Sequence, residues 1–243
     1  MHVDYKHHSP SGLNMFAAQP AMFVLERVLG LKQPVGVPAH RGSAVESGVA
    51  YGLTHPDATE KDWFREAFTK YDLLTGMSGD ERREKYRSNI PEMVVQAIDE
   101  LRPYGMPEGV QGHITQEFDG LKYPIIGYYD FAWFSDGIIV DLKTTERMPS
   151  EIKIPHARQV SFYCGDNMEG RLTYVTPKKC VTYGLENVRA HKEALLQLAK
   201  NVEKFLSLGT EPEFFVSITA PDLESFYWSD PVARELAWKY WKI

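Results

Sequence analysis

Cysteine is scarce in this sequence, and long apolar runs are missing from it. The 243 residues include two cysteines, Cys164 and Cys180, which excludes the disulfide frameworks on which small secreted domains depend. No apolar run is long enough to span a bilayer, and residues 1–6 lack the features of a secretory signal. We therefore expect a protein of the cytoplasm that makes no contact with a membrane.

Positive charge is also in short supply. Lys and Arg number 27 against 33 Asp and Glu, so the formal net charge is −6. A protein that binds nucleic acid through a broad surface usually carries an excess of basic residues. Here the basic residues are grouped locally, in stretches 82–87 and 178–179, which are either nucleic-acid contacts or ordinary solvated surface.

What is present is enough apolar sequence for one substantial core. Hydrophobic residues make up 43% of the chain, and neither repeats nor low-complexity tracts divide it. We expect a single domain over residues 1–243 of the α/β class. Apolar spacing predicts a helical N-terminal part (9–105), a sheet core (110–180) and C-terminal helices (185–243). The predicted N-terminal helices cover residues 11–31, 41–53, 60–74 and 80–104.

Two strands joined by a short turn carry the clearest chemical pattern. Segments 123–134 and 137–145 are rich in β-branched and aromatic residues and predict an antiparallel hairpin. Because side chains alternate along a strand, Asp141 and Lys143 share one face, and Asp130 could lie beside Asp141. The alternative is a plain ion pair between Asp141 and Lys143 with no chemical role.

Adjacent carboxylates repel each other unless a cation lies between them, and oxygen ligands suit Mg²⁺ or Mn²⁺. The hairpin therefore predicts a metal site at Asp130 and Asp141, with the backbone carbonyl of Leu142 as a further ligand. The ammonium of Lys143 could orient or help deprotonate a water and neutralise charge on phosphate oxygens.

A short helix is predicted over residues 155–165, with Pro155 at its start and Gly165 at its end. Gln159 and Tyr163 are four residues apart and so share one face of this helix. They could contact the metal site or a nucleic-acid strand, or they could be ordinary half-buried residues.

Together these residues resemble the RecB-like branch of the PD-(D/E)xK nuclease superfamily, which includes phage-type exonucleases. The resemblance is carried by Gly127-Tyr-Tyr-Asp130, Val140-Asp-Leu-Lys143 and Gln159-x-x-x-Tyr163. It implies a restriction-endonuclease-like core, in which helices flank a mixed central β-sheet. It also implies a helical insertion between residues 55 and 110, forming a lobe beside the cleft.

The resemblance also implies roles for individual residues. Glu46, on an earlier helix, would be the third metal ligand beside Asp130 and Asp141, with Glu117 as a second choice. Lys143, Gln159 and Tyr163 would complete the catalytic set. Arg41 and Arg158 would contact nucleic acid together with Gln159 and Tyr163. Family members with an iron-sulfur cluster use four cysteines, so with two we expect no cluster.

The function implied is a Mg²⁺- or Mn²⁺-dependent DNA exonuclease acting in phage replication or recombination, in the host cytoplasm. Two alternatives stay open, namely a structure-specific endonuclease of the same fold and an inactive nucleic-acid-binding protein. Partners besides DNA would be a second copy of the chain and a single-strand annealing or binding protein.

Overall fold

Ten α-helices and five β-strands follow one another along residues 3–165 and 167–243, the part of the chain that the computed structural model describes. The helices are α1 (Pro10–Ala18), α2 (Pro20–Phe23), α3 (Val37–Thr54), α4 (Glu60–Thr75), α5 (Arg83–Ser88), α6 (Ile90–Leu101), α7 (Ile154–Tyr163), α8 (Val188–Leu206), α9 (Pro212–Ser217) and α10 (Pro231–Trp241). The strands are β1 (Gly109–Gln116), β2 (Ile125–Trp133), β3 (Ile138–Thr144), β4 (Glu169–Val175) and β5 (Cys180–Gly184).

The five strands form one mixed sheet in the order β1-β2-β3-β4-β5. Strand β3 runs antiparallel to β2 and parallel to β4, and β5 returns antiparallel to β4. The parallel pair is joined through α7, as a crossover connection requires. The α/β class and the mixed sheet flanked by helices are therefore confirmed. The edge strand β5 was not predicted, because its five residues show no clear alternation.

The β2–β3 hairpin is confirmed, and its turn explains why glycine follows Asp136. Gly137 has φ +67, in the left-handed region that side-chain-bearing residues rarely adopt, and its N–H donates to the Phe134 carbonyl at 3.1 Å. This turn brings the strands together so that Phe131 pairs with Val140.

The chain divides into two compact units. The first, which we call the sheet unit, comprises residues 35–113 and 128–188; the second, the terminal unit, comprises residues 1–34, 114–127 and 189–243. The single domain over residues 1–243 that composition predicts stays a prediction.

In the sheet unit, α3, α4 and α6 share one apolar core with β2 and β3. Small residues on α3 allow the helices to approach closely: a Cβ at Gly48 would lie 3.0 Å from both the Trp63 carbonyl oxygen and Ala67 Cβ. The predicted helical insertion is present as α4, α5 and α6. However, α4 and α6 are part of the main core, where a separate lobe had been expected.

In the terminal unit, a smaller core joins α2 and the following π-helical turn (Val24–Val28) to α10. The helix predicted over residues 11–31 is broken, because Pro20 starts a new helix. Likewise the helix predicted over 80–104 divides into α5 and α6 near Pro91, whereas the helix predicted over 60–74 is confirmed as α4. Across residues 3–165 and 167–243, each helix is too short or too polar to cross a bilayer.

Candidate active site

The site begins where β2 and β3 pair beside two acidic residues. Asp130 immediately precedes Phe131 on β2 and Asp141 immediately follows Val140 on β3, so both are next to the Phe131–Val140 pair. The carboxylate of Asp130 accepts a hydrogen bond from the Leu142 N–H at 2.6 Å. A side-chain oxygen thus replaces a strand carbonyl at this point and fixes Asp130 against β3.

Lys143 lies on the same face of β3 as Asp141, as strand alternation predicts. Its Nζ is 2.5 Å from Asp141 Oδ2, and Asp141 is fully buried. The contact is a close ion pair, and Asp141 Oδ2 is buried against the ammonium. The opposite face of β3 presents Val140 and Leu142 to the core of the sheet unit.

Helix α7 covers the acidic face of β3. It runs from Ile154 to Tyr163, with Pro155 in its first turn, which agrees with the prediction to within two residues. Gln159 Nε2 donates to the Tyr163 hydroxyl at 2.8 Å and to Asp141 Oδ1 at 3.3 Å. The helix therefore brings the Gln and Tyr predicted from i, i+4 spacing against the predicted metal ligand.

The two aspartates are held in an electrostatically unfavourable place. Burial, followed by the charges of Asp141 and Glu46, raises the pKa of Asp130 well above its ordinary value. Burial also raises the pKa of Asp141, although the Lys143 ammonium opposes this. Both carboxyl groups thus lack sufficient compensating positive charge.

The charges of the two aspartates also affect the pKa values of Lys143 and Tyr163. Burial alone would lower the pKa of Lys143, but the carboxylates of Asp141 and Asp130 outweigh burial and raise it. Burial, then the Asp141 charge, raises the pKa of Tyr163. Lys143 is therefore an ammonium and Tyr163 a neutral phenol at physiological pH.

Glu46 lies on α3, half-buried, and its charge acts on Asp130. Its Oε1 accepts a hydrogen bond of 2.7 Å from Gln111 Nε2 on β1. The structure thus places the predicted third ligand in the electrostatic neighbourhood of Asp130. Glu117, the second choice, follows β1 and is exposed in the terminal unit.

The donor set fits a hard divalent cation in its chemistry. Asp130 and Asp141 supply oxygens only, and a divalent cation would offset the burial that raises both pKa values and the repulsion from Asp141 and Glu46 that adds to the shift of Asp130. In the described part of the chain, however, no three or more His, Cys, Asp or Glu side chains are grouped as a ready metal site. Completing a third ligand would require adjustment of Glu46.

The two arginines predicted to bind nucleic acid occupy different surroundings. Arg41 is only 2% exposed, with its Nη1 2.5 Å from Glu146 Oε1 and its guanidinium 4.8 Å from the Tyr86 ring centroid. The Arg41 guanidinium is therefore buried and already paired with a carboxylate. Arg158 is half-buried on α7, next to Gln159.

Sequence reasoning missed several neighbours of the site. Gln111 holds Glu46, Glu146 holds Arg41, and His156 Nδ1 lies 2.7 Å from the Tyr174 hydroxyl. Alternation along β1 would have placed Gln111 on the solvent-facing side, but nothing in the sequence links it to Glu46, 65 residues earlier.

Of the comparisons with known proteins, the one with family models identifies a family. The family model described as the PD-(D/E)XK nuclease superfamily matches residues 7–225, which include every candidate site residue. No curated protein matches the chain. Among solved structures, the one described as "Crystal structure of SSO0001" is 17% identical, with a TM-score of 0.34, and the match covers 65% of this chain and 85% of that chain.

Proposed function

Because the chain belongs to the PD-(D/E)XK nuclease superfamily, we propose that it is a divalent-metal-dependent DNA exonuclease of the RecB-like, phage-type branch. Membership implies a nuclease, and the mixed sheet flanked by helices is consistent with the restriction-endonuclease-like core. Our proposal goes beyond family membership in three respects: the DNA substrate, the exonuclease mode, and a role in phage replication or recombination.

One observation carries the proposal: Asp130 and Asp141 lie together, with Lys143 paired to Asp141 and Gln159 donating to it from α7. Asp130, Asp141 and the Leu142 carbonyl would hold Mg²⁺ or Mn²⁺, with Glu46 as the third side-chain ligand. When bound, such an ion acts as a Lewis acid on the phosphodiester and neutralises charge on its oxygens.

The remaining residues position the reactants. The Lys143 ammonium has three donors, so it can hold a water and stabilise charge that develops on the phosphate. Gln159 and the Tyr163 hydroxyl, 2.8 Å apart, would orient the scissile strand. Arg41 and Arg158 would contact neighbouring phosphates, and by family analogy the product would carry a 5′-phosphate.

The setting and partners follow from the same resemblance. We propose action on DNA in the cytoplasm of a phage-infected cell. The chain would form a homo-oligomer and would act with a single-strand annealing or binding protein. The net charge of −6 predicts that non-specific DNA affinity is modest and falls steeply with salt.

The test is digestion of end-labelled linear DNA and covalently closed circular DNA with Mg²⁺ or Mn²⁺. We expect the linear substrate to be shortened and the circle to survive, and Lys143→Ala to abolish digestion. The matched control is Lys70→Ala, an exposed lysine on α4 that has no role in the site.

Other outcomes would point to the alternatives. Cutting of closed circles would identify a structure-specific endonuclease of the same fold. Metal-independent DNA binding without any product would identify an inactive nucleic-acid-binding protein. Undiminished digestion by Lys143→Ala would remove Lys143 from the mechanism.

A further inference from the structure

Gln111 combines an unusual backbone conformation with a contact to the candidate metal ligand Glu46. It is one of the non-glycine residues with positive φ, at +49, within strand β1. Residues with a Cβ seldom adopt this conformation, and such outliers concentrate at functional sites. Its side-chain amide donates to Glu46 Oε1 at 2.7 Å.

The path of β1 next to Gln111 is tightly constrained. A Cβ on Gly112 would lie 2.0 Å from the Tyr129 hydroxyl oxygen, so the Tyr129 side chain packs directly on the backbone there. Tyr129 is itself buried and immediately precedes Asp130 on β2. The strand carrying Gln111 is therefore packed against the strand that carries the site.

We propose that Gln111 is a positioning residue, whose amide fixes one oxygen of Glu46 and leaves the other to a divalent cation held by Asp130 and Asp141. The inference rests on the proposed function, because it presumes a metal at these carboxylates. Ligating carboxylates are commonly held by a hydrogen bond from a second residue, and loss of that residue weakens metal binding about 10- to 100-fold.

A purely structural role for Gln111 makes a different prediction. If Gln111 only maintained β1, its replacement would lower stability and metal affinity together. Gln111→Gly separates the two roles, since glycine adopts φ +49 readily but has no amide side chain. A positioning role predicts weaker metal binding with no loss of stability.

The experiment measures Mn²⁺ binding to the full chain by calorimetry and the melting temperature in EDTA. For Gln111→Gly we expect the Mn²⁺ Kd to rise about tenfold or more, with a melting temperature equal to or above that of the parent. Gln96→Ala is the matched control, because it removes a glutamine amide that donates to the Thr176 carbonyl at 3.3 Å, and it should leave the Mn²⁺ Kd unchanged.

Glu46→Gln distinguishes failure of this inference from failure of the proposed function. If Glu46→Gln weakens Mn²⁺ binding and Gln111→Gly does not, the metal site stands and the role of Gln111 is wrong. A fall in both affinity and melting temperature for Gln111→Gly would also overturn that role. A parent chain that binds no Mn²⁺ would overturn the metal site itself.

Discussion

The carboxylate of Asp130 accepts a hydrogen bond of 2.6 Å from the backbone N–H of Leu142. The same side chain therefore has two separable properties, an acceptor oxygen that ties β2 to β3 and a negative charge next to Asp141. Substitutions that keep one property and remove the other reveal what each contributes.

Asp130→Asn should make the protein more stable and inactive. The raised pKa of Asp130 means that ionising it costs folding free energy, and this cost grows as pH rises from the unfolded-state pKa through the folded-state pKa. Removing the charge should add about 1 kcal/mol to the free energy of unfolding at pH 7, measured by urea denaturation in EDTA. Asp130→Ala also leaves the Leu142 N–H without its acceptor, so it should be less stable than Asp130→Asn. A lower free energy of unfolding for Asp130→Asn than for the parent would contradict this account.

Lys143→Met should destabilise the fold as well as remove activity. Because Asp141 is fully buried, loss of the ammonium at 2.5 Å leaves an uncompensated charge in the interior. Because Lys143 is 26% exposed, we expect the free energy of unfolding in EDTA to fall by about 3 kcal/mol, the lower end for a broken buried pair. Adding Asp141→Asn should recover most of that loss, because the double variant no longer has a buried carboxylate without a counter-charge. No recovery in the double variant would show that the ion pair is not the cause.

Tyr163→Phe should lower activity without disturbing the fold. It removes the hydroxyl that accepts from Gln159 Nε2 at 2.8 Å, so the amide is less firmly oriented. Loss of one such hydrogen bond, about 1.4 kcal/mol in the transition state, corresponds to about a tenfold fall in kcat/KM on linear DNA. Tyr183→Phe is the control, because its hydroxyl donates to the Pro149 carbonyl at 2.9 Å away from this pair. Equal activity in both variants would argue against the assigned role.

Acid should destabilise the protein partly through His156. Burial, followed by the charges of Lys143 and Lys153, lowers the pKa of His156 to about 4. At this histidine the unfolded chain therefore takes up a proton at higher pH than the folded chain, so the contribution of His156 to stability is full above about pH 6.5 and is lost as pH drops toward about 4. Urea midpoints in EDTA across this range should fall less steeply for His156→Gln. An unchanged slope would exclude His156 as a contributor. A residual slope is expected from His8, whose pKa burial also lowers.

Gly48→Ala should destabilise the sheet unit. The new methyl group would lie 3.0 Å from the Trp63 carbonyl oxygen and Ala67 Cβ, which is too close between packed helices. Although alanine favours helix by about 1 kcal/mol, overpacking costs about 1–3 kcal/mol, so a net loss is expected. Gly79→Ala, where no atom lies within 4 Å of the added Cβ, is the control in thermal or urea unfolding. Equal stability of the two variants would mean that α3 and α4 can separate without cost.

Much of the site was predictable because its residues are close in sequence and lie on regular elements. Strand alternation placed Asp141 and Lys143 on one face, and helical spacing placed Gln159 beside Tyr163, as the contacts show. The glycine-containing turn fixed the hairpin that brings Asp130 to β3. These rules concern residues a few positions apart, so they apply whatever the rest of the chain does.

The sequence by itself determined the hairpin, the α7 pair and the family to which the chain belongs, since local backbone geometry and residue order carry that information. Only the tertiary structure decided that Gln111 binds Glu46, that Glu146 covers Arg41 and that α4 and α6 join the main core. Those outcomes depend on which surfaces pack together over long separations in the chain. Sequence periodicity does not predict these contacts, because they depend on how apolar area is buried in the whole molecule.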